Sequence, residues 1–273
     1  MGTRILRLRS TKTVPAGSRP ERQQSGIFFS TAEAIGEALI QTPLMPPEPN
    51  PAIRVIRVTK QYGPITALRD ISLSVYEGDF LFVTGPSGAG KSTLIKLLYM
   101  GEGFTSGSIL VDGVNLARVT RKQIPAHRRK FGVVFQDFKL IPSRTVFENV
   151  ALVLEVARRR PDEIRDRVYS VLETAGIADR ANDYPPVLSG GEQQRVALAR
   201  AMVGEPRYVL ADEPTGSLDP KSAARVYRLL QAAHRRGATV IIATHDTSII
   251  RAYTGPVVRL AEGRMQMNAA NSG

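Results

Sequence analysis

Gly85-Pro86-Ser87-Gly88-Ala89-Gly90-Lys91-Ser92 sets two glycines with four residues between them and follows the second with a lysine and a hydroxyl. That spacing suits phosphate: glycines let backbone N–H groups curl around phosphate oxygens, and a following helix adds the partial positive charge of its N-terminus. Lys91 would reach the β- and γ-phosphates of a nucleotide, Ser92 would hold Mg²⁺, and Thr93 would complete the first turn. A phosphate loop also needs an acidic partner on a neighbouring strand. Tyr208-Val-Leu-Ala-Asp212-Glu213 supplies one, four apolar residues ending in two carboxylates. Asp212 reads as the metal aspartate, and Glu213 is placed to deprotonate an attacking water, an assistance worth about 10²–10⁴ in rate. Read singly, the first motif could be an ordinary Gly-rich turn and the second a polar loop.

These motifs need strands and helices to hold them. Phe80–Val83 before the loop, Tyr208–Ala211 before the carboxylates and Thr239–Ala243 further on are short continuous apolar runs. Such runs suit strands covered on both faces, as in a parallel sheet. Ile71–Val75 alternates with period two, as a half-exposed strand does, and another strand-like stretch opens at Ile53 and runs to Thr59. Between them lie helical spacings. Leu94, Leu97 and Leu98 share a face after the phosphate loop. Ile164, Val168, Val171, Leu172 and Ala175 follow Pro161 and precede Gly176, and Val226, Leu229, Leu230 and Ala233 lie between Asp219-Pro220 and Gly237. Strands alternating with helices predict an α/β fold.

Composition narrows the chemistry. Among 273 residues there are no cysteines and three histidines, which excludes disulfides, thiolate catalysis and Cys-ligated metal and disfavours a His-rich site. No apolar stretch reaches the ~18 residues that span a bilayer, and the N-terminus lacks the apolar core of a secretory signal. A net charge of +12 favours anionic partners, either nucleic acid, nucleotides or an acidic membrane surface. Residues 1–22 carry six basic residues and one acidic, residues 27–40 could form one short helix, and Pro43 to Pro51 packs five prolines into nine residues. Residues 1–52 therefore read as a basic arm and linker, 53–267 as the folded domain and 268–273 as a tail.

Leu188-Ser189-Gly190-Gly191-Glu192-Gln193 opens a helix rich in Ala, Leu and Val. Alone it is an N-cap, Ser189, with a Gly-rich helix start. After the two motifs above, it resembles the signature of the ATP-binding cassette ATPases, which contacts the γ-phosphate of an ATP held mainly by a second subunit. The resemblance runs from residue 53 to about 265. By it, Gln136, after Phe131–Phe135, looks like the glutamine that senses Mg²⁺ and the attacking water. Ser217-Leu218-Asp219 looks like the loop that crosses a dimer interface, although Asp219 would also cap the helix beginning at Pro220. His245 looks like the histidine that contacts the γ-phosphate, and Tyr62, placed ahead of the sheet, like the aromatic that stacks on adenine. A strand-end histidine and a buried strand-end tyrosine are the plain alternatives. The family implies a phosphate-loop NTPase core with a mainly parallel sheet, an antiparallel β-subdomain and a helical subdomain between Gln136 and the signature. It also implies ATP, Mg²⁺ and a homodimer sandwiching two nucleotides.

Within the family, Phe135-Gln-Asp-Phe-Lys-Leu-Ile-Pro-Ser-Arg-Thr-Val-Phe-Glu-Asn-Val-Ala151 is similar to the FtsE cell-division ATPases of bacteria. Ile141 and Ser217 depart mildly, standing where Leu and Asn are expected. That branch implies an FtsX-like integral membrane partner with a large outer loop, switching on peptidoglycan hydrolases from the cytoplasmic face of the membrane. Lipoprotein-release and macrolide-export ATPases share much of the same motifs and remain the alternative. The DNA-repair branch carries a long coiled coil before the signature and the translation-factor branch two cassettes per chain. This chain has neither, so its basic charge is expected to meet the cytoplasmic leaflet and not nucleic acid.

Overall fold

The computed structural model describes residues 50–216, 218–246, 250 and 255–266. The helix expected at 27–40, most of the arm and linker, Ser217 and the tail lie outside the described residues. In chain order the elements are β1 (Ile53–Tyr62), β2 (Ile65–Val75), β3 (Phe80–Thr84), α1 (Lys91–Leu98), β4 (Ser106–Val111), β5 (Val114–Asn115) and α2 (Ile124–Arg128). There follow β6 (Phe131–Val134), α3 (Val146–Val156), α4 (Pro161–Ala175), α5 (Gly190–Met202), β7 (Tyr208–Asp212), α6 (Pro220–Arg235), β8 (Thr239–Thr244), β9 (Val257–Ala261) and β10 (Arg264–Gln266).

The strands form two sheets. One has four strands in the order β2-β1-β4-β5, all antiparallel. The other has six in the order β10-β9-β3-β8-β7-β6, parallel from β9 to β6 and antiparallel only at β10. Tyr62 thus ends β1 of the antiparallel sheet, three residues past the expected strand end, and precedes the six-stranded sheet in the chain. The six-stranded sheet is buried on both faces, which explains its continuous apolar runs. Phe82, Val209, Ala211, Val240 and Ile242 enter one core with the helices α3 to α6. Their neighbours Leu81, Val83, Leu210, Ile241 and Ala243 enter a second core with α1 and the antiparallel sheet. Alternation of side chains along each strand divides one apolar run between two layers.

Local chemistry sets the helix starts. Thr145 and Glu148 form a reciprocal capping box at α3, and Ser189 and Glu192 form another at α5. Pro161 opens α4 and Pro220 opens α6, where a missing N–H costs nothing. α3 and α4 make up the helical insert expected between Gln136 and the signature. The parallel order β3-β8-β7-β6 has a direct consequence for function. It brings the carboxyl ends of four strands to one edge, where ligands bind in open α/β sheets.

Candidate active site

The phosphate loop joins β3 to α1. Gly85, at φ 147°, and Gly90, at φ 101°, both occupy conformations that disfavour side chains. Space forbids them too: a Cβ on Gly85 would come 2.1 Å from the carbonyl oxygen of Leu260, and one on Gly90 would come 2.6 Å from that of Ala67. The loop is therefore pressed between β9 and β2. It borders a cavity of about 350 Å³ lined by Pro86 to Thr93 together with Ala67, Gln136, Glu213 and His245. Lys91 is buried, and its Nζ donates to the carbonyl oxygens of Gly85 at 2.8 Å and Pro86 at 3.2 Å.

The other side of the cavity comes from the ends of β7, β8 and β6. Asp212 ends β7, and its Oδ1 accepts from Ser92 Oγ at 2.9 Å. Burial pushes the Asp212 carboxyl above its usual range; the Ser92 hydrogen bond opposes this, and the Glu213 carboxylate adds to it. This hydroxyl–carboxylate pair, with the Gln136 amide bordering the same cavity, is a set of hard donors that fits Mg²⁺. Glu213 takes a left-handed backbone, φ 45°, tied by its N–H to the carbonyl of Ala243 at 2.8 Å. Its Oε1 lies 3.3 Å from Lys91 Nζ and 3.0 Å from His245 Nδ1, and its Oε2 accepts from the backbone N–H of His245 at 3.3 Å. A carboxylate held between a buried ammonium and an imidazole can both position and deprotonate a water beside a phosphate.

Gly85 and Asp212 stand just behind this lining, Asp212 reaching it through Ser92, and three further expected elements fall outside it. Tyr62 is 40% exposed, so it is not a buried strand-end tyrosine. Its hydroxyl donates to Glu102 and meets the Thr93 side chain, and Lys60 Nζ lies 4.6 Å from the ring centroid. Ser189, Gly190, Gly191 and Glu192 do not border the cavity of their own chain. Ser189 and Glu192 are engaged in the α5 capping box, and hydrogen bonds from Ser189 hold the Glu192 carboxyl below its usual range. Asp219 caps α6, accepting from the N–H groups of Lys221 and Ser222 at 2.9 and 3.1 Å. Its capping role is met within one chain.

A family model described as ABC transporter matches residues 68–216. The chain belongs to that family. This cassette is accordingly an ATPase. It is 47% identical over 212 residues to the cell division ATP-binding protein FtsE of Bacillus subtilis (strain 168), a match covering 77% of this chain and 93% of that one. It is 43% identical over 202 residues to the methionine import ATP-binding protein MetN of Vibrio vulnificus (strain YJ016), covering 74% of this chain and 59% of that one. Among solved structures, a dimeric post-hydrolysis state of the ATP-binding cassette MJ0796 bound to ADP and Pi matches with a TM-score of 0.73 and 36% identity. That match covers 79% of this chain and 97% of the other.

Several residues that shape the cassette's site gave no sequence signal. Ala67 borders the cavity from β2. Gln194 of α5, 1% exposed, donates to the carbonyl of Pro214 at 2.7 Å, directly behind Glu213. Asn149, fully buried, and Arg200 both grip the loop after Gln136 through backbone atoms. A side chain that bonds to backbone atoms, as Arg200 does 61 and 62 residues away, leaves no motif. Only the polarity of Gln194 and Asn149 within otherwise apolar helix faces marked them.

Proposed function

We propose that this cassette is the ATPase subunit of a bacterial cell-division complex. It works as a homodimer on the cytoplasmic face of the membrane, against an FtsX-like integral membrane protein that activates peptidoglycan hydrolases. The observation that carries the chemistry is the Glu213 carboxylate, held between Lys91 and His245 at the mouth of the phosphate loop. The loop N–H groups and Lys91 bind the β- and γ-phosphates, and Tyr62 stacks on adenine. Magnesium held by Ser92 and Asp212, with Gln136 beside it, supplies charge neutralisation on the phosphates. Glu213 orients a water and takes its proton, while His245 fixes the carboxylate and meets the γ-phosphate.

Ser189 to Glu192 and Asp219 act on the nucleotide of a second copy, which accounts for their absence from their own cavity. Closure of the two copies then depends on ATP and opening on hydrolysis, and the membrane partner follows that motion. No described helix is long and apolar enough to cross a membrane; in this reading the partner supplies the spanning segments. The chain's basic charge meets the acidic leaflet. The FtsE similarity over 93% of that protein supports the division reading. The MetN similarity supports solute import as a second reading, with the chain spanning only 59% of that protein.

Affinity capture from native membranes with the Glu213→Gln protein and ATP separates the two. A co-purifying membrane protein with a large outer loop, and hydrolase activity dependent on both, is the expected result. Recovery of a solute permease in its place refutes the division role and leaves the ATP site intact.

A further inference from the structure

The eleven residues after β6 carry Gln136 into the cavity and then run to α3. Two of them, Phe138 and Lys139, adopt left-handed backbones at φ 57° and 50° although neither is glycine. Such conformations persist only where surrounding contacts enforce them. One side chain does so here. Arg200, in the last turn of α5, donates from Nη2 to the carbonyl of Phe138 at 2.7 Å and from Nη1 to that of Lys139 at 2.6 Å. The planar fork of a guanidinium matches two adjacent acceptors; an ammonium offers no such geometry.

The same loop meets α5 at its other end. The Phe138 ring approaches Gly190, where an added Cβ would stand 4.0 Å from Phe138 Cζ. Past Lys139 the loop is fixed by a different helix: Asn149 of α3 accepts from the N–H of Ile141 at 2.7 Å and donates to its carbonyl at 3.1 Å. The segment is thereby bound to the helical insert and to the signature helix, and Gln136 lies just before the first of these anchors.

We infer that Arg200 is a positioning residue that holds the Gln136 loop in its productive conformation and ties it to the helix that begins with Ser189. A displacement of α5, whose first turn faces a second copy's nucleotide, is transmitted by Arg200 to Gln136 of its own site. The inference rests on the proposed role of Gln136 at the γ-phosphate.

The test uses the full chain, which contains no tryptophan, with Phe138→Trp as a single fluorescent reporter. Arg200→Lys keeps the charge and most of the stem, so it is informative where Arg200→Ala also loses packing. Expected for Arg200→Lys are a red-shifted, more quenchable emission from the reporter and an unchanged far-ultraviolet circular dichroism spectrum. In the chain without the reporter, kcat falls about tenfold or more with the KM for ATP within about threefold. Unchanged emission overturns the clamp whatever Gln136 does. Unchanged kcat despite shifted emission overturns the positioning role. Gln136→Ala is measured alongside: if that variant alone keeps full kcat, the reading of Gln136 fails while the emission shift still establishes the clamp.

Discussion

Asn149→Ala is expected to destabilise this cassette more than almost any other single polar substitution. The side chain is fully buried in α3 and makes four hydrogen bonds. Oδ1 accepts from Ile141 N at 2.7 Å, and the two Nδ2 hydrogens are shared among the carbonyls of Ile141 at 3.1 Å, Arg144 at 2.9 Å and Thr145 at 2.9 Å. Two of the three carbonyls keep a second partner after truncation. Ile141 O still accepts from Arg144 N at 3.1 Å, and Thr145 O from Asn149 N at 2.9 Å. The N–H of Ile141 and the carbonyl of Arg144 lose theirs. Two orphaned part-buried groups at about 1 kcal/mol each, the low end of the usual range, plus about 1–2 kcal/mol for a small cavity, give about 3–4 kcal/mol. Against a total stability of about 5–15 kcal/mol that is a large fraction. Urea unfolding followed by circular dichroism measures it, with the midpoint falling and the slope unchanged. Asn149→Asp is the isosteric control: it keeps the acceptor but sets a carboxylate against three carbonyls, so it is expected to be no more stable than Ala. A loss under about 1 kcal/mol for Asn149→Ala would refute the bookkeeping, since it would mean that water satisfies the loop as well as the side chain does.

Three further outcomes follow from the site. Lys91→Ala is expected to weaken ATP binding at least tenfold, read by displacement of a fluorescent nucleotide, because the cavity loses its one buried ammonium among the described residues. Asp212→Asn is expected to raise the thermal midpoint of the nucleotide-free protein at neutral pH while abolishing its stabilisation by Mg²⁺ and ATP. Burial raises the Asp212 carboxyl above its unfolded value, so the fold binds its proton more tightly and its charged form costs stability once pH exceeds the raised value. Acidification through that value relieves the cost in the parent protein, and the variant lacks this component; equal midpoints at neutral pH and equal pH profiles would contradict the assignment. Ser189→Ala is expected to cost about 1 kcal/mol through the lost α5 cap. It should leave ATP binding by isolated chains unchanged and lower hydrolysis sharply, whereas full hydrolysis at full stability would confine Ser189 to capping.

The phosphate loop was legible because its geometry demands glycine. Gly85 and Gly90 face backbone carbonyls closer than any side chain allows, and the sequence has no freedom to hide that. The strands were legible for a similar reason. Leu210 and Ile241 are buried in one core and Val209 and Ile242 in the other, so neither face of the strand interiors is left to water. Tyr62 was harder, since its partner Glu102 comes from 40 residues away and the end of β1 is irregular. Arg200 left no sequence signal and Asn149 only its polarity on an apolar helix face, because both recognise backbone atoms and not partner side chains. The same fact explains why Ile141 can replace the expected Leu. Asn149 grips its main chain, and its side chain carries no part of that contact.

The central claim is that Glu213 acts on water in the cavity that Lys91 binds. It is tested most directly by measuring ATP binding and single-turnover hydrolysis on the same preparation of Glu213→Gln. Glutamine preserves shape and hydrogen bonding but cannot take a proton. The predicted result is ATP affinity within about threefold of the parent and turnover lower by about 10²–10⁴, about 2.7–5.5 kcal/mol on the barrier. Turnover equal to the parent at equal affinity would contradict the claim and move the base elsewhere in the cavity.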